Sequence, residues 1–215
     1  MFDLPFHLKS LARIRPYFHS ESDFQHALAW EIRKKFPDWG FRLEIPIRAG
    51  EHTFKVDIVI RTGVKLVAIE LKYKSKKALL VHADEKFDLR NQSAQDLARY
   101  DFVKDISRIE YLVSQNAIHS GYAVFLTNES LYWRDQKFIG SIDDDFRIHD
   151  RRILAGIASW AVGARNGTIR GREKPIQLLG TYELEWFDYF FNRTISNGHF
   201  RCLVVQIQIP KAEEN

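Results

Sequence analysis

The chain has 215 residues, 45% of them hydrophobic and 28% charged, with a formal charge of +4. That length supports one large domain with a buried core, and the composition excludes a disordered chain. The mild basic excess permits nucleic-acid binding without requiring it.

Asp3 and Pro5 stand where a signal peptide would be apolar. No apolar run approaches the roughly 20 residues of a membrane span. Cys202 is the single cysteine, so no intrachain disulfide is possible and a reducing compartment is expected. These features together predict a cytoplasmic protein without a membrane segment. The flanks of Cys202 read as a strand, which predicts a buried thiol rather than a nucleophile.

In chain order, the first helix is expected over Ser22 to Phe36. Ser22 is its candidate cap, Gln25 occupies the capping-box position, and Phe24, Leu28 and Ile32 recur at helical spacing before Pro37. Three strands are expected at Phe41–Ile47, Thr53–Ile60 and Val64–Tyr73, the last two joined by a tight turn at Thr62-Gly63. A long helix is expected over Gln92 to Asn116, then an apolar strand over Gly121–Thr127. Residues 129–175 are rich in Arg, Asp and Gly and predict one helix near Ile153–Val162. Strands are expected again at Ile176–Trp186 and Phe200–Ile209. The order predicts an α/β or α+β domain around a mixed sheet.

Side chains alternate along a strand. Val56, Ile58 and Ile60 are therefore expected on one face, as are Val67, Ile69 and Leu71. Asp57 then shares the opposite face with Glu70 and Lys72. A turn at Thr62-Gly63 pairs Asp57 with Ala68 and makes Glu70 a diagonal neighbour. Glu31 sits at the edge of the first helix's apolar stripe, so three carboxylates are expected to meet at one end of the sheet. Clustered carboxylates repel one another, and a hard divalent cation resolves that conflict. Magnesium, with manganese as its substitute, would neutralise phosphoryl charge, and Lys72 would stabilise developing negative charge.

Asp57 followed by Glu70-Leu71-Lys72 across a hairpin resembles the PD-(D/E)XK nuclease superfamily, whose restriction-endonuclease-like core runs αβββαβ. The resemblance covers roughly residues 20–128, within a single domain spanning 1–215, and leaves residues 129–215 as a C-terminal elaboration. Val56 stands where the motif has proline. The resemblance implies a metal held by Asp57, Glu70 and the Leu71 carbonyl, a catalytic Lys72, and Glu31 as the acidic residue of the first core helix. Gln95 extends the apolar stripe of the long helix and matches a glutamine of exonuclease-like members. Tyr100 reads as packed.

Lys74, Lys76 and Lys77 follow the motif and are candidate phosphate contacts, with DNA the expected partner. A second basic stretch, Arg147 to Lys174, reads as a nucleic-acid surface and nearly as well as separate surface arginines. The aromatic run Trp186–Phe191 reads as core or as a homo-oligomer contact. The expected activity is metal-dependent phosphodiester hydrolysis. The alternatives are a nucleic-acid-binding module without cleavage, or an interaction protein on the same fold.

Overall fold

In the computed structural model, residues 2–135, 140–165 and 167–208 are described. Helix α1 (Leu4–Ile14) starts where Asp3 accepts a hydrogen bond from the Phe6 N–H at 3.1 Å, with Pro5 in the first turn. Both are helix-start signals. Helix α2 (Glu21–Lys35) begins ahead of the expected Ser22, because Ser20 is the residue that caps it through the Asp23 N–H at 3.1 Å.

Strands β1 (Gly40–Ala49), β2 (His52–Thr62) and β3 (Lys65–Lys74) follow as an antiparallel meander. A small hairpin comes next, formed by β4 (Ala78–His82) and β5 (Glu85–Leu89). Helix α3 (Gln95–Ser114) then crosses over to β6 (Ser120–Thr127), which lies parallel to β3. A parallel pair needs such a crossover, and α3 supplies it. Past a short 3-10 turn at Asp144–Phe146 come β7 (Ile153–Ala158), β8 (Ile176–Glu183), β9 (Trp186–Phe191) and β10 (His199–Ile207). The central mixed sheet has six strands in the order β1-β2-β3-β6-β10-β9, and β7 and β8 form a separate two-stranded sheet. The fold is thus mixed α+β around a mixed sheet. The helix expected near Ile153–Val162 is strand β7 instead, paired antiparallel with β8. Ile209, the expected end of the last strand, lies outside the described residues.

Two cores flank the sheet. On one face Leu8, Leu11, Phe24, Leu28 and Ile32 of α1 and α2 pack against Ile58, Ile60, Ile69 and Leu71. On the other, Phe102, Val103, Ile106 and Ile109 of α3 pack against Val59, Ala68, Phe125 and Leu203. Gly121 lets α3 approach: a Cβ there would meet Ile109 Cγ2 at 2.5 Å and the Ala68 carbonyl at 2.9 Å. The β7–β8 hairpin is tied over α3 by Glu110, which accepts bonds from the Leu179 and Gly180 N–H groups and from the Tyr182 hydroxyl.

Cys202 is fully buried in β10, where burial pushes its thiol pKa up, as expected of a structural cysteine. Tyr100 is packed against Phe146 and Trp160. Of the aromatic run, Trp186 and Tyr189 are buried and Phe191 is exposed on the edge strand. Among the described residues no helix is long and apolar enough to cross a membrane.

Candidate active site

The β2–β3 hairpin turns at Gly63-Val64, with Thr62 opposite Lys65 and Gly63 at φ +62°. The register is therefore shifted by two residues from the expected one: Val59, not Asp57, faces Ala68. A two-residue shift keeps every side chain on its face. It also carries Asp57 forward to the level of Glu70, closer than the expected diagonal placement.

Asp57 stands where both of its ladders are interrupted. Pairing with β3 ends at Ile58–Ile69, and pairing with β1 skips the Glu44–Asp57 position. Glu44 is held at φ +55°, the left-handed region that side chains rarely adopt. The burial of the hairpin inverts at this point. Leu43 and Ile58 belong to the α1–α2 core, whereas Ile45 and Val56 belong to the α3 core. The expected shared face of Val56, Ile58 and Ile60 is thus broken. The freed backbone groups find side chains. Asp57 Oδ2 accepts from the Leu71 N–H at 2.7 Å, and Gln25 donates to the Asp57 carbonyl at 2.6 Å and to Glu44 at 2.9 Å.

Glu70 is buried, and one of its oxygens, Oε1, has no hydrogen bond. Arg108 of α3 reaches within 3.1 Å of that oxygen, off the line of a hydrogen bond. The same guanidinium lies 3.1 Å from Asp105, and Asp105 lies 2.6 Å from the Lys72 ammonium. Glu21, in the first turn of α2, accepts from the Tyr73 N–H at 2.8 Å and acts electrostatically on Lys72. Four carboxylates (Glu21, Asp57, Glu70 and Asp105) thus face two cations (Lys72 and Arg108), a formal surplus of two negative charges.

The titration shifts follow from this. Burial, then the Asp105 charge, pushes the Glu70 pKa well above the carboxylate range. Burial likewise raises Asp57 and Glu21. Burial works against the Lys72 ammonium, but Asp105, Glu21 and Glu70 outweigh it and hold the pKa above the lysine range.

The structure brings together Asp57, Glu70, Leu71 and Lys72 of the expected residues. It does not bring Glu31. That residue lies ten positions beyond Glu21, about 15 Å along the helix axis. It is buried in the groove between α1 and α2, beside Arg15 and His26. Glu21 takes the place expected for it, on the stripe that continues through Phe24, Gln25 and Leu28. Gln95 opens α3, again about 15 Å along the axis from Asp105, so α3 reaches the site through Asp105 and Arg108 instead. Neither residue is among those expected from the sequence. Lys74 and Lys77 flank the exit of β3, while the Lys76 ammonium lies 3.4 Å from the buried Glu129. In the second basic stretch Arg147 pairs with Asp144, and Arg172 grips Asp101 with two 2.7 Å bonds.

Among the described residues no three His, Cys, Asp or Glu side chains close on one point as a metal cage. The donors that fit a cation are fewer: the unbonded Glu70 Oε1, the Asp57 carboxylate, and the Leu71 carbonyl, which accepts a 3.3 Å contact from Lys72. Magnesium needs no more than one or two carboxylates, since it keeps several waters. In comparisons with known proteins, no family model matches the chain, and no curated protein or solved structure matches it at a significant level.

Proposed function

We propose that the protein is a metal-dependent nuclease of PD-(D/E)XK type, hydrolysing phosphodiester bonds in DNA. The observation that carries this reading is the placement of Asp57, the Glu70 oxygen without a hydrogen bond and the Lys72 ammonium around one break in the sheet. The element order α2-β1-β2-β3-α3-β6 supports the same reading, with the β4–β5 hairpin inserted before α3.

Asp57, Glu70 and the Leu71 carbonyl would hold magnesium, or manganese in its place. The bound cation would lower the pKa of a water and neutralise charge on a phosphoryl oxygen. The chain's own groups do the rest. Asp105 pairs with the Lys72 ammonium and holds it at the site, where Lys72 would donate to a phosphoryl oxygen as charge develops. The Leu71 N–H orients the Asp57 carboxylate, and Gln25 pins the strand that carries it. Lys74 and Lys77 flank the site as phosphate contacts. Lys76 is partly committed to Glu129.

A second reading, a nucleic-acid-binding module without cleavage, is favoured by one observation: Arg108 and Asp105 already occupy Glu70 and Lys72. Linear, circular and single-stranded DNA, with RNA in parallel, incubated in magnesium or manganese separate the two. Cleavage lost in Lys72→Ala and in EDTA is the expected result. Binding with no cleavage of any substrate by the folded protein selects the second reading.

A further inference from the structure

The inversion at Asp57 has a second effect, away from the carboxylates. It folds the outer half of the β1–β2 hairpin over α3, so that His52 and Phe54 meet Tyr111. Ring centroids lie 5.6 Å apart for both His52–Tyr111 and Phe54–Tyr111. Between this aromatic wall and the segment around Lys174 runs a groove of about 420 Å³. That is within the range of small-ligand clefts, roughly 300–1,000 Å³. Its lining carries Lys104 and Lys174 against Glu173, besides Arg108, whose charge is already shared with Asp105 and Glu70.

We propose that this groove, bounded by His52, Phe54, Lys104, Arg108, Tyr111 and Lys174, is a subsite for single-stranded nucleic acid, with bases on the aromatic side and phosphates along the cations. Two features select that ligand. Aromatic rings interleaved with cations are what an unpaired strand uses, because each base has a free face for stacking and each phosphate a charge to neutralise. A duplex hides those faces in its own stack. The second feature is continuity. The Arg108 guanidinium lies 5.6 Å from the centre of the Phe54 ring on the groove side and 3.1 Å from Glu70 on the other. A guanidinium plane over a ring is itself a stacking platform for a base. A strand leaving the groove past Arg108 arrives at Asp57, Glu70 and Lys72. The destination of the strand rests on the nuclease reading, whereas binding in the groove does not.

The test is fluorescence anisotropy in EDTA, where no cleavage occurs. The probes are a labelled twelve-nucleotide oligothymidine, the same length of abasic strand and a twelve-base-pair duplex. Oligothymidine is expected to bind at least tenfold more tightly than either competitor. Phe54→Ala and Tyr111→Ala should each weaken it by about tenfold, the scale of one lost stacking contact. Tyr111→Phe, which keeps the ring, should bind as wild type. Lys104 is exposed, so Lys104→Ala folds without hindrance and should flatten the salt dependence by about one counterion. Equal affinity for strand and duplex overturns the proposal, as does an abasic strand that binds as well as oligothymidine. So does wild-type affinity and salt slope in folded Tyr111→Ala and Lys104→Ala. Strand binding with no cleavage of any substrate in magnesium or manganese would defeat the nuclease reading and leave the subsite standing. Cleavage with no preference for the strand would do the reverse.

Discussion

The Lys72 ammonium lies 2.6 Å from Asp105, joining a central strand of the sheet to the helix that covers it. Asp105 is in turn 3.1 Å from Arg108, and Arg108 is 3.1 Å from Glu70. Cations and carboxylates thus alternate along β3 and α3, and each holds the next in place.

Removing Lys72 leaves this chain short of positive charge. Lys72→Met should destabilise the metal-free protein by about 3–5 kcal/mol, the usual cost of an orphaned buried partner. Asp105→Asn should cost less, because it also removes one of the four crowded carboxylates. Urea denaturation in EDTA measures both. If the two variants lose equal stability, charge crowding is not what governs the site.

Stability should depend on pH through Glu70. In the metal-free protein its proton is held more tightly folded than unfolded, because burial and then Asp105 raise its pKa. Stability therefore falls as pH rises from the unfolded value of about 4.3 toward the raised native one. Asp57 and Glu21 shift in the same direction. His7 works the other way: burial lowers its pKa, so acid weakens the fold below the unfolded value of about 6.5. Between about pH 6.5 and 8.5, wild type should lose on the order of 1 kcal/mol per pH unit more than Glu70→Gln. His7 is common to both proteins, so parallel slopes would show that Glu70 is ionised throughout.

Asp57→Asn keeps an oxygen that can accept from the Leu71 N–H but removes the charge. Its melting temperature in EDTA should equal or exceed that of wild type by a few degrees, equivalent to about 1 kcal/mol. Manganese should stabilise wild type by mass action and leave the variant unmoved. Thermal scans with and without manganese decide. A variant that melts lower in EDTA and still gains from metal would place the cation elsewhere.

Gly121 sets how closely α3 lies on the sheet. Gly121→Ala would drive a Cβ into Ile109 and the Ala68 carbonyl, and should cost about 1–3 kcal/mol of overpacking. The shift of α3 should also separate Asp105 from Lys72. Urea melts report the first effect. If the nuclease reading holds, a cleavage rate that falls by more than the lost folded fraction reports the second.

Periodicity and turn chemistry made five of the six strands of the sheet and two long helices legible, while the edge strand β9 reads as an aromatic run. Apolar residues at helical spacing mark α2 and α3, and short apolar runs mark β2, β3 and β6. Other signals were present but outweighed. Asp3 and Pro5 are the cap and first turn of α1, a helix start that the short apolar stretch after them does not announce. The β4–β5 turn uses Ala83 and Asp84, both at positive φ, with no glycine to announce it. The β7 run Ile153-Leu-Ala-Gly-Ile-Ala is too short for its period to separate strand from helix, and Gly156 bends it at φ +70°.

The site divides along the same line. Residues close in sequence on one strand, Glu70, Leu71 and Lys72, could be placed from alternation alone, and a hairpin brought Asp57 to them. Alternation could not reveal the break at Glu44 and Asp57, because period two assumes an unbroken ladder. Nor could helical spacing choose among Glu31, Glu21, Asp105 and Glu110. Each lies on or beside an apolar stripe and is read equally well as a site residue. Spacing fixes the side of a helix on which a carboxylate stands. What it meets there depends on the neighbouring element: α1 for Glu31, the β7–β8 hairpin for Glu110, and the charged end of β3 for Glu21 and Asp105. Those neighbours are set by long-range packing between segments far apart in the chain, and local pattern carries no information about them.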